Sequence, residues 1–129
     1  MKLLLDTHIW LWGLLEPHRL SRRVQQAIES ADNERWLSPI STWEAMLLHA
    51  KRRIAFDEKA AAWISRGLTN TREAPLTHEI ALAAAQLPWR PRDPADRFLV
   101  ATAQVLGLTL VTADERLLAL KDIATMSNR

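Results

Sequence analysis

Four acids stand out in this sequence because of the residues around them. Asp6 closes the apolar run KLLL, and Asp114 follows the apolar run LTLV at residues 108–111. Glu44 and Asp96 open the helical-looking stretches STWEAMLL and DPADRFLV. Taken singly, each acid reads more readily as a helix cap than as a catalyst. Asp6 stands before a helix starting at Thr7. Ser41 to Glu44 matches the capping box, in which the fourth residue reaches back to the first. Asp93 reads as a cap with Pro94 at the first helical position and Asp96 in the first turn. Thr112-Ala-Asp114-Glu115 reads the same way.

Taken together they ask for more. Residues three and four ahead share a helix face. For Glu44 these are Leu47 and Leu48, and for Asp96 they are Leu99 and Val100. Both carboxylates are thus expected at the edge of a core, where a charge costs several kcal/mol unless paired. A cluster of four acids repels itself, so it holds either protons or a cation. The chain has no cysteine and no histidine pair at ligand spacing. An all-oxygen set suits a hard cation, Mg²⁺ or Mn²⁺. Such a cation held by carboxylates cuts phosphodiesters. No Ser/His/Asp nucleophile motif competes with this reading.

The elements that must bring these acids together are legible in outline. KLLL and LTLV are continuous apolar runs, as expected for central parallel strands covered on both faces. RWLS from Arg35 is a weaker third strand. REAPL and IATM are weaker still, and Pro75 restricts the former to an edge. Between them lie helical stripes. LSRRVQQAIESA, STWEAMLLHAKRRI, FDEKAAAWISRG (Asp57 as cap, Gly67 past the end), THEIALAAAQL capped by Thr77, and DPADRFLVATAQVLG stopping at Gly107 all fit the helical period. Trp43 and Trp63 fall on stripes expected to face a core. Trp10, Trp12 and Trp89 read as packing residues before base-stacking or partner-interface ones. His8 lies near Asp6, whereas His49 and His78 fall on helices. Strands alternating with helices give an α/β fold with a mostly parallel sheet. Ligands of such sheets sit beyond the carboxyl ends of the strands, where Asp6, Thr112 and Asp114 fall. Helix starts point to the same side, which brings Glu44 and Asp96 there too.

Composition narrows the class. The chain has 129 residues, 48% hydrophobic and 25% charged, which fits one ordinary globular domain spanning 1–129. Without cysteine there are no disulfides or zinc–thiolate sites, which is consistent with a reducing cytoplasm. No apolar run approaches the ~20 residues of a membrane helix. Asp6 interrupts the first leucines, so no secretory leader is expected. The net charge of +2 is too small by itself to imply nucleic acid. Its distribution is uneven, with basic groups at Arg19–Arg22–Arg23, Lys51–Arg52–Arg53 and Arg90–Arg92–Arg97.

The stretches LLLDTHIWLW, LSPISTWEAMLL, LTHEIALAAAQLP and DPADRFLVATAQVLGLTLVTADERL, in this order and spacing, resemble the PIN-domain family, and within it the VapC-type toxins of toxin–antitoxin pairs. The resemblance covers nearly the whole chain. It implies a three-layer α/β/α fold and a metal-dependent endoribonuclease, with Asp6, Glu44, Asp96 and Asp114 as catalytic and metal-holding acids. Asp93 is implied as an accessory acid, and Thr7, Ser41 and Thr112 as partners that orient the carboxylates. Arg90, Arg92 and Arg97 are expected to steer the RNA backbone, with the Lys51–Arg53 run as an alternative. A VapB-type antitoxin and a homodimer are implied as partners, with no membrane association. Relatives often carry a histidine shortly before the Asp-Pro; this chain has Trp89 and Arg90 in the lead-in PWRPRDP.

Other classes share some of these features. A receiver-type signalling module also has strand-end acids, but it is expected to pair acids after the first strand and to close its last core strand on a lysine. An aspartyl phosphohydrolase wants an acid two residues past the first, where this chain has His8. A PIN-like fold that binds RNA without cutting has no physical need for four clustered charges.

Overall fold

In a computed structural model, residues 1–54, 59–88 and 93–129 are described. The strands are β1 (Lys2–Leu5), β2 (Glu34–Leu37), β3 (Arg72–Glu73), β4 (Thr109–Thr112) and β5 (Thr125–Ser127). The helices are α1 (Thr7–Leu15), α2 (Arg22–Glu29), α3 (Pro39–Ala50), α4 (Ala60–Gly67), α5 (His78–Gln86), α6 (Pro94–Leu106) and α7 (Glu115–Leu118). A 3₁₀ turn at Pro17–Arg19 follows α1.

The five strands form one sheet in the order β3-β2-β1-β4-β5, and every pairing is parallel. The two longest apolar runs sit at its centre. Leu3 pairs with Thr109, Leu4 with Leu110 and Leu5 with Val111. Successive strand side chains point to opposite faces, and β1 uses both. Leu3 and Leu5, with Val111, pack on Ile9, Trp10, Val24, Ala45 and Trp63. Leu4 and Leu110 pack on Leu99, Val100, Ala103 and Leu117 on the other face. This sandwich of helices on both faces is the three-layer α/β/α arrangement. Burying each of these leucines contributes about 1.5–3 kcal/mol, so the apolar run of β1 anchors both halves. The expected edge strands are present but short, and Pro75 lies just beyond β3.

Several helix ends follow the expected chemistry. Ser21, Thr77 and Asp93 cap α2, α5 and α6 through side-chain oxygens. Gly107 ends α6 in the left-handed conformation at φ 64, where a side chain is strained. Three expectations are corrected. First, α3 begins earlier than its stripe indicates: Ser38 is the cap and Pro39 the first helical residue. Ser41 is buried inside the helix, so the Ser41–Glu44 capping box does not form. Second, Trp43 is 56% exposed and Leu47 37%. The face of α3 turned to the core presents Ser41 and Ala45 instead, while Trp63 is core as expected. Third, Gly67 is the last residue of α4 rather than the one after it. A Cβ there would stand 2.9 Å from Leu14 and 3.0 Å from Trp10, so the glycine permits close approach of α4 to α1. Its carbonyl accepts a hydrogen bond from Trp10 Nε1 at 2.9 Å. The expected cap Asp57 lies outside the described residues.

Candidate active site

The carboxyl edge of the sheet carries a cleft of about 380 Å³ lined by Asp6, Glu44, Asp93, Asp96 and Asp114. His8, Trp12 and Arg116 complete most of its wall. Acids from separate segments of the chain therefore meet as the strand and helix ends require.

Asp6 is built in most firmly. Its backbone N–H continues the sheet, donating to Val111 O at 3.0 Å. Its side chain caps α1, with Oδ1 accepting from Thr7 N at 2.8 Å. Thr112 Oγ1 donates to Oδ2 at 2.6 Å from the end of β4. Burial raises the Asp6 pKa; the Thr112 hydrogen bond and then the nearby His8 oppose that rise. Desolvation of a charge outweighs the hydroxyl that stabilises it.

Glu44 is held from α1. Thr7 Oγ1 lies 2.5 Å from Glu44 Oε1 and 2.8 Å from Ser41 Oγ. A hydroxyl carries one proton. With that proton given to the carboxylate, Ser41 donates to Thr7 and the chain runs Ser41, Thr7, Glu44. Burial raises the Glu44 pKa, Thr7 opposes this, and Asp93 and Asp6 add to the rise.

Asp96, in the first turn of α6, is pushed up to about 7. Burial is the chief cause, followed by repulsion from Asp93, Asp6, Asp114 and Glu44. Asp93 spends Oδ1 on capping α6, accepting from Ala95 N at 2.9 Å. Asp114 behaves in the opposite way. It caps α7 and accepts a forked pair of bonds from Arg116, Nε to Oδ1 at 3.2 Å and Nη2 to Oδ2 at 2.7 Å. These bonds hold its pKa below the usual carboxylate range. The same Nη2 lies 3.6 Å from Asp96 Oδ2, and Thr112 Oγ1 accepts from Asp114 N at 3.0 Å. Thr112 thus ties together two of the acids.

The donors are all oxygens and mutually repulsive, which fits a hard divalent cation. Among the described residues, no three acidic or histidine side chains stand grouped as they would to hold a metal ion. Arg116 supplies cationic charge to two of these acids. It escaped sequence reading, although Asp114-Glu-Arg116 puts a guanidinium two residues past a capping acid, within reach of it.

The basic residues divide. Arg97 Nη2 donates to Ala84 O at 2.6 Å and to Leu87 O at 3.3 Å. It thereby caps the carboxyl end of α5. Arg90, Arg92 and Trp89 lie outside the described residues. Lys51 and Arg53 are exposed and line an adjoining groove of about 520 Å³ together with Glu44, Trp43 and Leu47.

Comparison with known proteins agrees with this architecture. Residues 3–123 match the PIN domain family. The chain is 40% identical over 115 residues to Ribonuclease VapC22 of Mycobacterium tuberculosis, covering 88% of each protein. Its fold is similar to that in the crystal structure of VapBC2 from Rickettsia felis bound to a DNA fragment from their promoter, with a TM-score of 0.74, 15% identity and 98% of each chain covered. It is also similar to VapBC-1 from nontypeable Haemophilus influenzae, with a TM-score of 0.70, 19% identity and 98% of each chain covered. The acids gathered at the sheet edge therefore stand in a chain that belongs to the PIN-domain family, in its VapC-type branch.

Proposed function

We propose that this chain is a metal-dependent endoribonuclease, the toxin of a VapBC-type pair, acting in the cytoplasm. The ribonuclease activity named for its relative supports the reaction class. The observation that carries the reading is the convergence of Asp6, Glu44, Asp96 and Asp114 on one cleft, with Asp96 raised to about 7 by burial and then by its acidic neighbours. A site that strains against its own charge gains most when a cation enters it.

In this reading Asp6, Asp96 and Asp114 hold Mg²⁺, or Mn²⁺ in its place, and Glu44 binds or activates the attacking water. The chemistry such a cation supplies is polarisation of the phosphoryl group and of the attacking water, with neutralisation of the leaving oxygen. The protein's part is positioning. Thr112 and the Thr7 N–H fix both oxygens of Asp6, and Thr7 fixes one oxygen of Glu44. Glu44 accepts the proton of the water that attacks phosphorus. The new P–O bond forms in line as the bond to O3′ breaks. The fragments end in a 5′-phosphate and a 3′-hydroxyl, the latter protonated from solvent. Lys51 and Arg53, in the groove that adjoins the cleft, serve the phosphate backbone.

A VapB-type antitoxin is the expected partner, since the structural neighbours are VapBC toxin–antitoxin complexes. We expect it to cover the acid cleft, placing a basic side chain where the cation sits, and we expect the toxin to form a homodimer. Among the described residues, no helix is long and apolar enough to cross a membrane.

Incubating the antitoxin-free protein with transfer, ribosomal and messenger RNA, with Mg²⁺ and then with EDTA, tests this directly. Cleavage that disappears both on chelation and in Asp96→Asn is the expected result. A folded protein that leaves all three RNA classes intact in Mg²⁺ would return these acids to the role of helix caps.

A further inference from the structure

A second hollow of about 250 Å³ adjoins the acid cleft, and Trp12 and His8 line both. Arg19 and Arg53 line it too. The Arg19 guanidinium lies over the Trp12 ring, 4.1 Å from the centroid. The His8 ring stands 6.0 Å from Trp12, tilted by 58°. The stack is braced from a distance. Asn128, just past β5, donates to Arg19 O at 3.0 Å and accepts from Ser21 N at 2.7 Å. This clamp fixes the turn that carries Arg19. Arg19 also pairs with Glu16 at 3.2 Å, with about half of each side chain exposed. Exposed pairs of this kind contribute little to stability.

A planar cation on an indole, a second ring at an angle and a further guanidinium form the composition that binds an unpaired nucleotide. Bases stack on arginine planes and aromatic faces without regard to sequence, and phosphates take the charge. We propose that this hollow is a nucleotide subsite. A base beside the scissile phosphate of single-stranded RNA stacks on the Arg19–Trp12 pair, and Arg53 meets the adjoining phosphate. The inference rests on the ribonuclease reading and adds to it the residues that receive the base beside the cut.

The test compares short oligo(A) with an abasic ribose–phosphate oligomer of equal length, in EDTA so that nothing is cut. Binding is read by fluorescence anisotropy. The wild-type chain is expected to prefer oligo(A) by about tenfold. Arg19→Lys keeps the charge and removes the plane, so it should lose most of that preference while binding the abasic oligomer as before. Trp12→Ala should behave alike, and Trp12→Phe should recover part of the preference. Thermal melts confirm that each variant is folded. A wild type that cleaves RNA in Mg²⁺ while Arg19→Lys and Trp12→Ala keep the full base preference overturns the subsite alone. A wild type that neither cleaves RNA in Mg²⁺ nor binds either oligomer overturns the ribonuclease reading, and the subsite with it.

Discussion

Asp6 and Asp114 occupy equivalent places in this fold and experience opposite environments. Each follows a central strand, each caps the next helix, and each is linked to Thr112. Yet burial raises the pKa of Asp6, while Arg116 lowers that of Asp114. The difference lies in who supplies the positive charge. Asp114 has it from within the chain, through bonds at 2.7 and 3.2 Å. Asp6 has two hydrogen-bond donors and the nearby His8, which do not offset its burial, so its charge awaits a partner from outside. A strand-end acid therefore becomes a candidate ligand through what its neighbours leave unmet, and position alone does not make it one.

Substitution of the two acids is the strongest way to break this comparison. Asp6→Asn is expected to reduce cleavage at least about hundredfold, because removing even an outer partner of a metal site costs 10–100-fold. Asp114→Asn should cost about tenfold, its charge being already shared with Arg116. Equal losses in kcat/KM would show that the environments do not matter to the reaction.

Thr112→Val removes the hydroxyl that bonds both acids. We expect roughly a tenfold loss of activity and a destabilisation of about 1–2 kcal/mol, read from denaturant melts. The pKa of Asp6 should rise further, moving the acid limb of the pH–rate profile upward. An unmoved acid limb would mean that Thr112 is a packing residue only.

Arg116→Gln sharpens the contrast from the other side. It removes the internal cation, so Mg²⁺ should bind severalfold more tightly by calorimetry. Weaker binding would show that Arg116 organises Asp114 for the metal instead of competing with it.

The smallest effect is on metal-free stability. Asp96 has a folded pKa of about 7 against an ordinary value of 3.8. The folded state thus binds its proton more tightly than the unfolded chain does. The resulting stability is complete below the unfolded value and is lost as pH rises through the folded one. In EDTA the melting temperature should fall by several degrees between about pH 4 and pH 7. Asp96→Asn should flatten that slope, and a wild type without a slope would count against the raised pKa.

Much of this was readable from the chain because its signals are local. KLLL and LTLV had to be central strands, and their ends had to place Asp6 and Asp114 on one edge. The proline after Asp93 and the glycine at 107 marked α6. Misreadings arose where tertiary partners overrode a local pattern. Ser41 and Glu44 have capping-box spacing, but Thr7, far away in sequence, takes both. The better signal was Ser38-Pro39, a cap followed by a proline fit for the first helical position. Trp43 and Leu47 have core spacing, yet periodicity says only that a face is apolar and not what covers it. Arg97 counted as a surface cation until α5 was in place to receive it. Arg116 was hidden among ordinary surface charges for the same reason.

The bond between Thr112 and Asp6 spans 106 residues, and this sets an order of events during synthesis. Asp6 is made well before β4, the strand that pairs with β1 and brings Thr112. At synthesis rates of about 5–20 residues per second, roughly 5–20 seconds separate the two. During that interval β1 can pair with β2, but Asp6 lacks the Val111 carbonyl and Thr112 hydroxyl that β4 brings to it. The chain therefore grows with its cleft unassembled, and its acids come together only once the 106 residues that separate Asp6 from Thr112 have been made.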